Sequence, residues 1–312
     1  MTVAALQGAP TVEQTVRGRR WLDRGVLVYG PRKAGTTLFH TLLDGSPDLF
    51  VYPEELKLKR YARSAETLTA DEYIRGSRIG KVNSGRLSNE GYTALWEAAR
   101  RDGHRHALGD LIRFDVFAVQ QSSALRDTAP GAWCAKEVGG ARRDLLAFWQ
   151  GLFPKGRVLF IVRDPLFTTA AVLRDRQRKG IALDMRRIGR ETVDPLRSLR
   201  RMAAYLEDPR VHFTVYEDLV ARPREEMEKV ARFLDVPWTD AFLTPTMFGE
   251  PIVVRTSSRR TTEIFRGGED WREGLTKREA VTVSAIAKAA QLMPQYHLNY
   301  DALRAAIARR GY

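Results

Sequence analysis

Residues 25–38, Gly-Val-Leu-Val-Tyr-Gly-Pro-Arg-Lys-Ala-Gly-Thr-Thr-Leu, constrain this chain more than any other stretch. An apolar run of strand length meets a Gly/Pro turn and then opens into a helical pattern from Thr37 to Leu43. A strand, tight turn and helix start gathers backbone N–H groups and the positive end of a helix dipole around one small anion. Lys33 and the hydroxyls of Thr36 and Thr37 lie inside that turn.

The nucleotide phosphate loop reads Gly, any four residues, Gly, Lys, Ser/Thr. Gly30 and Gly35 keep its spacing, but Thr36 stands where the phosphate-reaching lysine belongs, and the lysine has moved forward to Lys33. That argues against ATP or GTP hydrolysis, in which the lysine spans the β and γ phosphates. What remains suits a single 5′-phosphate-type group with an ammonium beside whatever leaves it. Pro31-Arg32-Lys33-Ala34-Gly35-Thr36-Thr37 resembles the 5′-phosphosulfate loop of sulfotransferases that use 3′-phosphoadenosine 5′-phosphosulfate (PAPS). The resemblance implies that Lys33 steadies the bridging oxygen, while the loop from Arg32 through Ala34 and Gly35 to Thr37 holds the 5′-phosphate.

Arg157 to Pro165 forms a second such station. Val158-Leu159-Phe160-Ile161-Val162 is an unbroken apolar run, as in a strand buried on both faces of a parallel sheet. Asp164 suits an N-cap and Pro165 the first helical position, so Arg163 is presented at the junction. The resemblance assigns Arg163 to the cofactor's 3′-phosphate, which a guanidinium fork matches. The residue-only alternative is an ion pair with Asp164 or Asp175. The family's serine eight positions later is Ala171 here, and Thr168 or Arg174, one turn away on either side, is expected to replace it.

Leu49 to Tyr52 reads as a further strand, ended by Pro53 and followed by Glu54 and Glu55. In an open α/β sheet these carboxylates fall at the carboxyl edge, where ligands bind. The segment resembles the loop that delivers a catalytic glutamate in carbohydrate-type and tyrosylprotein-type sulfotransferases. Glu55 fits the first pattern and is preferred as base; Glu54 fits the second. Alternatively both are solvated carboxylates that pair with Lys57 and Lys59. Trp133 to Val138 reads as a strand before a helix over 141–152. Lys136 matches the family lysine that reaches the sulfuryl group, but Val138 stands where the histidine base of small-molecule sulfotransferases would be. That departure favours Glu55 and leaves Glu137 as a weaker candidate.

Between these patches the chain reads as a helical insertion, about 65–127, with helix starts at Thr69–Glu72 and Ser88–Gly91 and a stop at Asp102-Gly103. His104 and His106 share one side of an extended segment, without further ligands for a metal. Val211 to Leu219 reads as another strand running into a helix from Pro223 to Leu234. Its resemblance places Tyr216 beside the adenine, the alternative being a core tyrosine. Arg259, Arg260 and Arg266 crowd a Gly/Ser/Thr-rich loop before Gly267-Gly268-Glu269-Asp270-Trp271. It resembles the family loop that covers the 3′-phosphate, with Arg266 nearer Trp271 than usual. Helices over 277–292 and 302–310 close the chain.

The 51 Lys and Arg outnumber the 38 Asp and Glu, a formal charge of +13 that attracts anionic ligands, although 41 of the 51 are arginine. No basic block is interleaved with aromatics, so nucleic acid is not an expected partner. Cys134 is the single cysteine, which excludes an internal disulfide and fits a reducing compartment. No apolar run has the length of a membrane span, so a soluble, cytoplasmic chain is expected. The expected fold is α/β and three-layered: a central, mostly parallel sheet flanked by helices, like phosphate-loop nucleotide-binding folds. Residues 1–24 are expected to form a flexible N-terminal extension, and 25–312 a single domain. The expected activity is sulfuryl transfer from PAPS, without a metal, to a hydroxyl or amine of a small-molecule, lipid or saccharide acceptor. A phosphotransferase with a degenerate loop, or a non-catalytic polyanion-binding protein, are the competing readings.

Overall fold

A computed structural model describes residues 11–61, 67–76, 87–139, 145–255, 260–264, 268 and 270–310. Its centre is a five-stranded parallel sheet of β1 (Gly25–Gly30), β2 (Leu49–Glu55), β5 (Ala132–Val138), β6 (Arg157–Val162) and β7 (Val211–Val215), ordered β2-β5-β1-β6-β7. A two-stranded antiparallel ribbon, β3 (Thr67–Thr69) with β4 (Arg105–Ala107), lies outside the sheet. The helices are α1 (Val12–Val16), α2 (Thr36–Leu43), α3 (Leu58–Tyr61), α4 (Ala70–Gly76), α5 (Asn89–Asp102), α6 (Leu108–Gln121) and α7 (Leu145–Leu152). They continue with α8 (Pro165–Arg178), α9 (Met185–Ala203), α10 (Tyr216–Ala221), α11 (Pro223–Leu234), α12 (Lys277–Gln291) and α13 (Tyr300–Arg309).

Strand alternation divides the core. Val26, Val28, Val51, Cys134, Leu159 and Ile161 face α2, α10 and α11, where they meet Phe39, Leu42, Leu219 and Val230. Leu27, Tyr29, Phe50, Trp133, Phe160 and Phe213 face the other way, onto α5, α6, α7, α9 and α13. With both faces covered, β1 is buried throughout and β6 from Val158 to Val162 is continuously apolar, as it reads in the sequence, whereas β5 carries Lys136 and Glu137. A third cluster joins α8, α9 and α12 through Ala170, Leu173, Ile188, Trp271 and Val283.

Several boundaries differ from the expectation. β2 runs past Pro53 to Glu55, because it is the edge strand and its register against β5 shifts between Val51 and Glu55, where the missing N–H costs no ladder bond. Residues 11–24 of the supposed extension are packed: Val12 and Leu22 are buried against the α6 side of the core. The start of the helix expected over 141–152 lies outside the described residues, which pick it up at Leu145. The 19-residue α9, capped by Asp184, has no counterpart among the expected elements. Among the described residues no helix is long and apolar enough to cross a membrane.

Candidate active site

The carboxyl ends of β1 and β6 build one site from segments about 130 residues apart in sequence. After Gly30 the chain turns through Lys33, whose φ of 64° is unusual for a residue with a side chain, and Gly35, φ 101°, which precedes α2. Gly35 is needed twice over: a Cβ there would strike the Tyr216 ring. Ala34 N donates to Pro31 O at 3.1 Å, and Arg163 Nη1 donates to Lys33 O at 3.0 Å, holding the turn. Phe39 N, bonded to Gly35 O at 3.0 Å, opens the helical ladder, so the amides before it face the open end of the turn. Thr36 Oγ1 is buried there with no hydrogen-bond partner.

Arg163 stands where the sequence places it, between β6 and α8, with Asp164 Oδ1 accepting from Leu166 N at 2.7 Å and Phe167 N at 3.2 Å. Its guanidinium lies 4.3 Å above the Tyr216 ring centroid. Burial pushes the Tyr216 phenol up, opposed by the Arg163 charge. Burial and then the Arg163 charge push Arg174 down, against the pull of Glu273, so two guanidiniums crowd one region. Arg163 Nε, Arg174 Nε and Thr168 Oγ1 are all buried without hydrogen-bond partners. Buried donors and cations left unpaired are costly, and an anion is the group that satisfies them. The residues therefore fit a phosphate.

Lys33 Nζ donates to Asp175 Oδ1 at 3.0 Å. Asp175, buried on α8, also accepts from Arg178 and Lys179, each at 2.7 Å. Burial would raise its pKa, but the hydrogen bonds from Lys179, Lys33 and Arg178 hold it well below the usual carboxylate range. Arg32 approaches the buried Glu191 at 4.0 Å, which binds Arg176 at 3.0 Å. Asp175, which the sequence offers only as a partner for Arg163, takes Lys33 instead, and Glu191 lies on α9, for which the sequence analysis has no element.

Across the sheet, Glu55 pairs with Lys136 in the β2–β5 register, and its carboxylate also binds Lys57. Lys136 is pushed down by burial, while the Glu54 charge pulls it back up. Lys136 shares the α2 face of β5 with Cys134, and His40 of α2 is buried in that layer. Burial and the Lys136 charge hold the His40 imidazole well below its ordinary pKa, and its Nε2 has no partner. Glu137, the weaker base candidate, is buried on the opposite face, with Oε2 accepting from Leu58 N at 3.0 Å.

A family model described as the sulfotransferase family matches residues 25–240, and a second, the sulfotransferase domain, matches 194–290. The chain belongs to the sulfotransferase family. It is 33% identical to the protein-tyrosine sulfotransferase of Drosophila melanogaster over 227 residues, 70% of this chain and 39% of that protein. The chain thus spans well under half the length of that relative. Among solved structures it resembles the sulfotransferase domain from the curacin biosynthetic pathway (TM-score 0.55, 19% identity, 84% of this chain and 96% of that one). It also resembles the sulfotransferase domain of the Synechococcus PCC 7002 olefin synthase (TM-score 0.54, 18% identity, 83% and 92%). These likenesses establish the α/β sulfotransferase fold.

In this family member the residues picked out by sequence fall into distinct places. Lys33, Gly35, Arg163, Arg174 and Tyr216 converge at the β1–β6 edge. Ala34 is buried and offers only backbone, whereas Thr37 is exposed. Thr168 lies along α8, and Arg174 Nη1 binds Glu273 O in the segment after Trp271. Arg163 pairs with neither Asp164 nor Asp175, which serve the α8 cap and Lys33. Arg259, Arg266 and Gly267 lie outside the described residues. His104 and His106 flank Arg105 on β4, away from the sheet.

Proposed function

We propose that this protein transfers a sulfuryl group from PAPS to a hydroxyl or amine of an acceptor and releases 3′-phosphoadenosine 5′-phosphate (PAP). The observation that carries the reading is the adjacency of Arg163 to the Lys33 turn, with unpartnered Arg163 Nε and Arg174 Nε beside it. One end of the cradle suits the 5′ group and the other the 3′-phosphate, whose charge of roughly −1.5 to −2 calls for more than one cation.

PAPS, when bound, supplies an activated sulfuryl group on a phosphate leaving group. Lys33 Nζ exchanges its Asp175 partner for that phosphate and neutralises the charge that grows there. The loop amides and Thr36 hold the 5′-phosphate, and Arg163 with Arg174 or Thr168 holds the 3′-phosphate. Tyr216, under the Arg163 guanidinium, packs on the adenine; Arg32 braces the turn, and Arg266 and Gly267 cover it. Lys136 supports the sulfuryl oxygens from the neighbouring strand, and Glu55 takes the acceptor proton, with Glu54 as the alternative base. Phosphoryl-type transfer through a loose in-line state leaves the protein mainly positioning and charge stabilisation to supply.

The same reading keeps residues 25–312 as one catalytic domain, a cytoplasmic location, and a small-molecule, lipid or saccharide acceptor, to which the Drosophila relative's name adds tyrosyl hydroxyls. Calorimetric titration with PAP and with ATP plus Mg²⁺ tests it: tight PAP binding is expected, and preference for ATP overturns it. A screen with 35S-labelled PAPS against tyrosyl peptides, saccharides, lipids and phenols identifies the acceptor.

A further inference from the structure

Asp115 of α6 is fully buried, and among the described residues no ion pair reaches it. Its carboxylate accepts three tyrosine hydroxyls instead: Tyr52 at 2.8 Å and Tyr73 at 2.9 Å on Oδ2, and Tyr92 at 2.7 Å on Oδ1. Burial raises its pKa and the three hydroxyls draw it back. A buried carboxylate without a cation survives only if its lone pairs are this well satisfied.

The three donors come from different parts of the chain. Tyr73 and Tyr92 belong to α4 and α5 of the insertion, whereas Tyr52 sits on β2, just ahead of Glu54 and Glu55. Downstream of those carboxylates, the Tyr61 ring stacks on Tyr73 at 5.2 Å and 11°, and its hydroxyl donates to Tyr73 O at 3.0 Å. The segment between Tyr52 and Tyr61 is therefore moored at both ends to the Asp115 cluster. In its middle, Leu56 N donates to Lys136 O at 3.3 Å, which ties it to the catalytic strand as well.

We infer that Asp115 is a positioning residue for the Glu54–Glu55 segment: through Tyr52, and through Tyr73 to Tyr61, it fixes where the base meets the acceptor hydroxyl. The inference rests on the sulfuryl-transfer reading. A base works only within hydrogen-bond reach of its proton, and a displacement of about 1 Å costs on the order of 100-fold in rate. The insertion, whose sequence carries no recognisable motif, thus acquires a part in the chemistry.

Tyr52→Phe and Tyr92→Phe test this, because each removes one hydroxyl donor from the same carboxylate and only Tyr52 stands on β2, the strand that carries Glu54 and Glu55. Both variants are expected to melt at similarly lowered temperatures and to bind PAP within about twofold of the unaltered chain. Tyr52→Phe is expected to raise deuterium exchange across 53–60 and to cut kcat for 35S transfer from PAPS to a tyrosine-containing peptide about tenfold or more, with KM for PAPS unchanged. Tyr92→Phe should leave both within about twofold. Equal kcat losses in the two variants, or exchange across 53–60 that Tyr52→Phe does not raise, overturn the inference. If the unaltered chain transfers nothing from PAPS to any acceptor, the underlying reading falls, and the exchange comparison still decides whether Asp115 moors the segment.

Discussion

Replacing Arg163 by Met should separate the two ends of the nucleotide. Arg163 Nη1 is committed to Lys33 O at 3.0 Å, while its buried Nε is unpaired and available to a phosphate oxygen. A hydrogen bond between charged partners contributes about 1.5–3 kcal/mol, so loss of the 3′-phosphate contact should weaken PAP binding roughly 10- to 150-fold. AMP lacks the 3′-phosphate and should feel only the loosened turn and the lost cation–π contact with Tyr216, about 0.5–1 kcal/mol or roughly two- to fivefold. Arg163→Lys keeps the charge but not the planar fork, and should fall between. Titration calorimetry with both nucleotides on each variant gives the four constants, and a thermal melt guards against unfolding, since the charge-assisted bond to Lys33 O is lost as well. If PAP and AMP weaken by the same factor, Arg163 does not read the 3′ end and the reasoning fails.

Glu55→Gln should abolish transfer while leaving PAP affinity nearly unchanged; retained turnover would move the base to Glu54. Glu54→Gln removes the negative charge that holds the buried Lys136 protonated, so the alkaline limb of the pH–rate profile should move to lower pH. An unmoved limb would show that Lys136 titration does not control the rate. Asp175 is depressed in the folded state, so its contribution is present above the ordinary carboxylate pKa of about 4 and disappears as pH falls toward the lower folded value. Asp175→Asn should therefore lower the melting temperature more at pH 7 than at pH 3, and loosen Lys33. Gly35→Ala drives a methyl into the Tyr216 ring at a φ of 101°, and should cost more than about 1 kcal/mol together with measurable PAP binding. Normal calorimetry on that variant would remove the turn from the site.

Local signals were legible where one physical requirement dominates. The Gly-rich turn, the Asp164 cap before Pro165, and the Ser88 start and Gly103 stop of α5 are written in adjacent residues, and the structure has each of them. Pro53 misled because its effect depends on whether β2 lies at the sheet edge, which strand order decides and spacing does not. The amphipathic α9 went unread despite its Asp184 cap, since Pro195 inside it imitates a break. Asp115 and the pairing of Asp175 with Lys33 were invisible for another reason. Lys33 lies 142 residues from Asp175, and Tyr52 lies 63 residues from Asp115, so only the fold brings these carboxylates to their donors.

Because Tyr29 of β1 lies beside Phe160 of β6 in the ladder, the two phosphate stations spring from neighbouring strands. On the proposed reading, the ruler for the nucleotide is anchored in one inter-strand step, about 4.8 Å, repeated wherever parallel strands pair. Lengthening the insertion or any loop that joins the strands leaves that ruler untouched. On that reading, the acceptor side of this protein can change while the backbone of the sheet keeps the grip on the donor nucleotide.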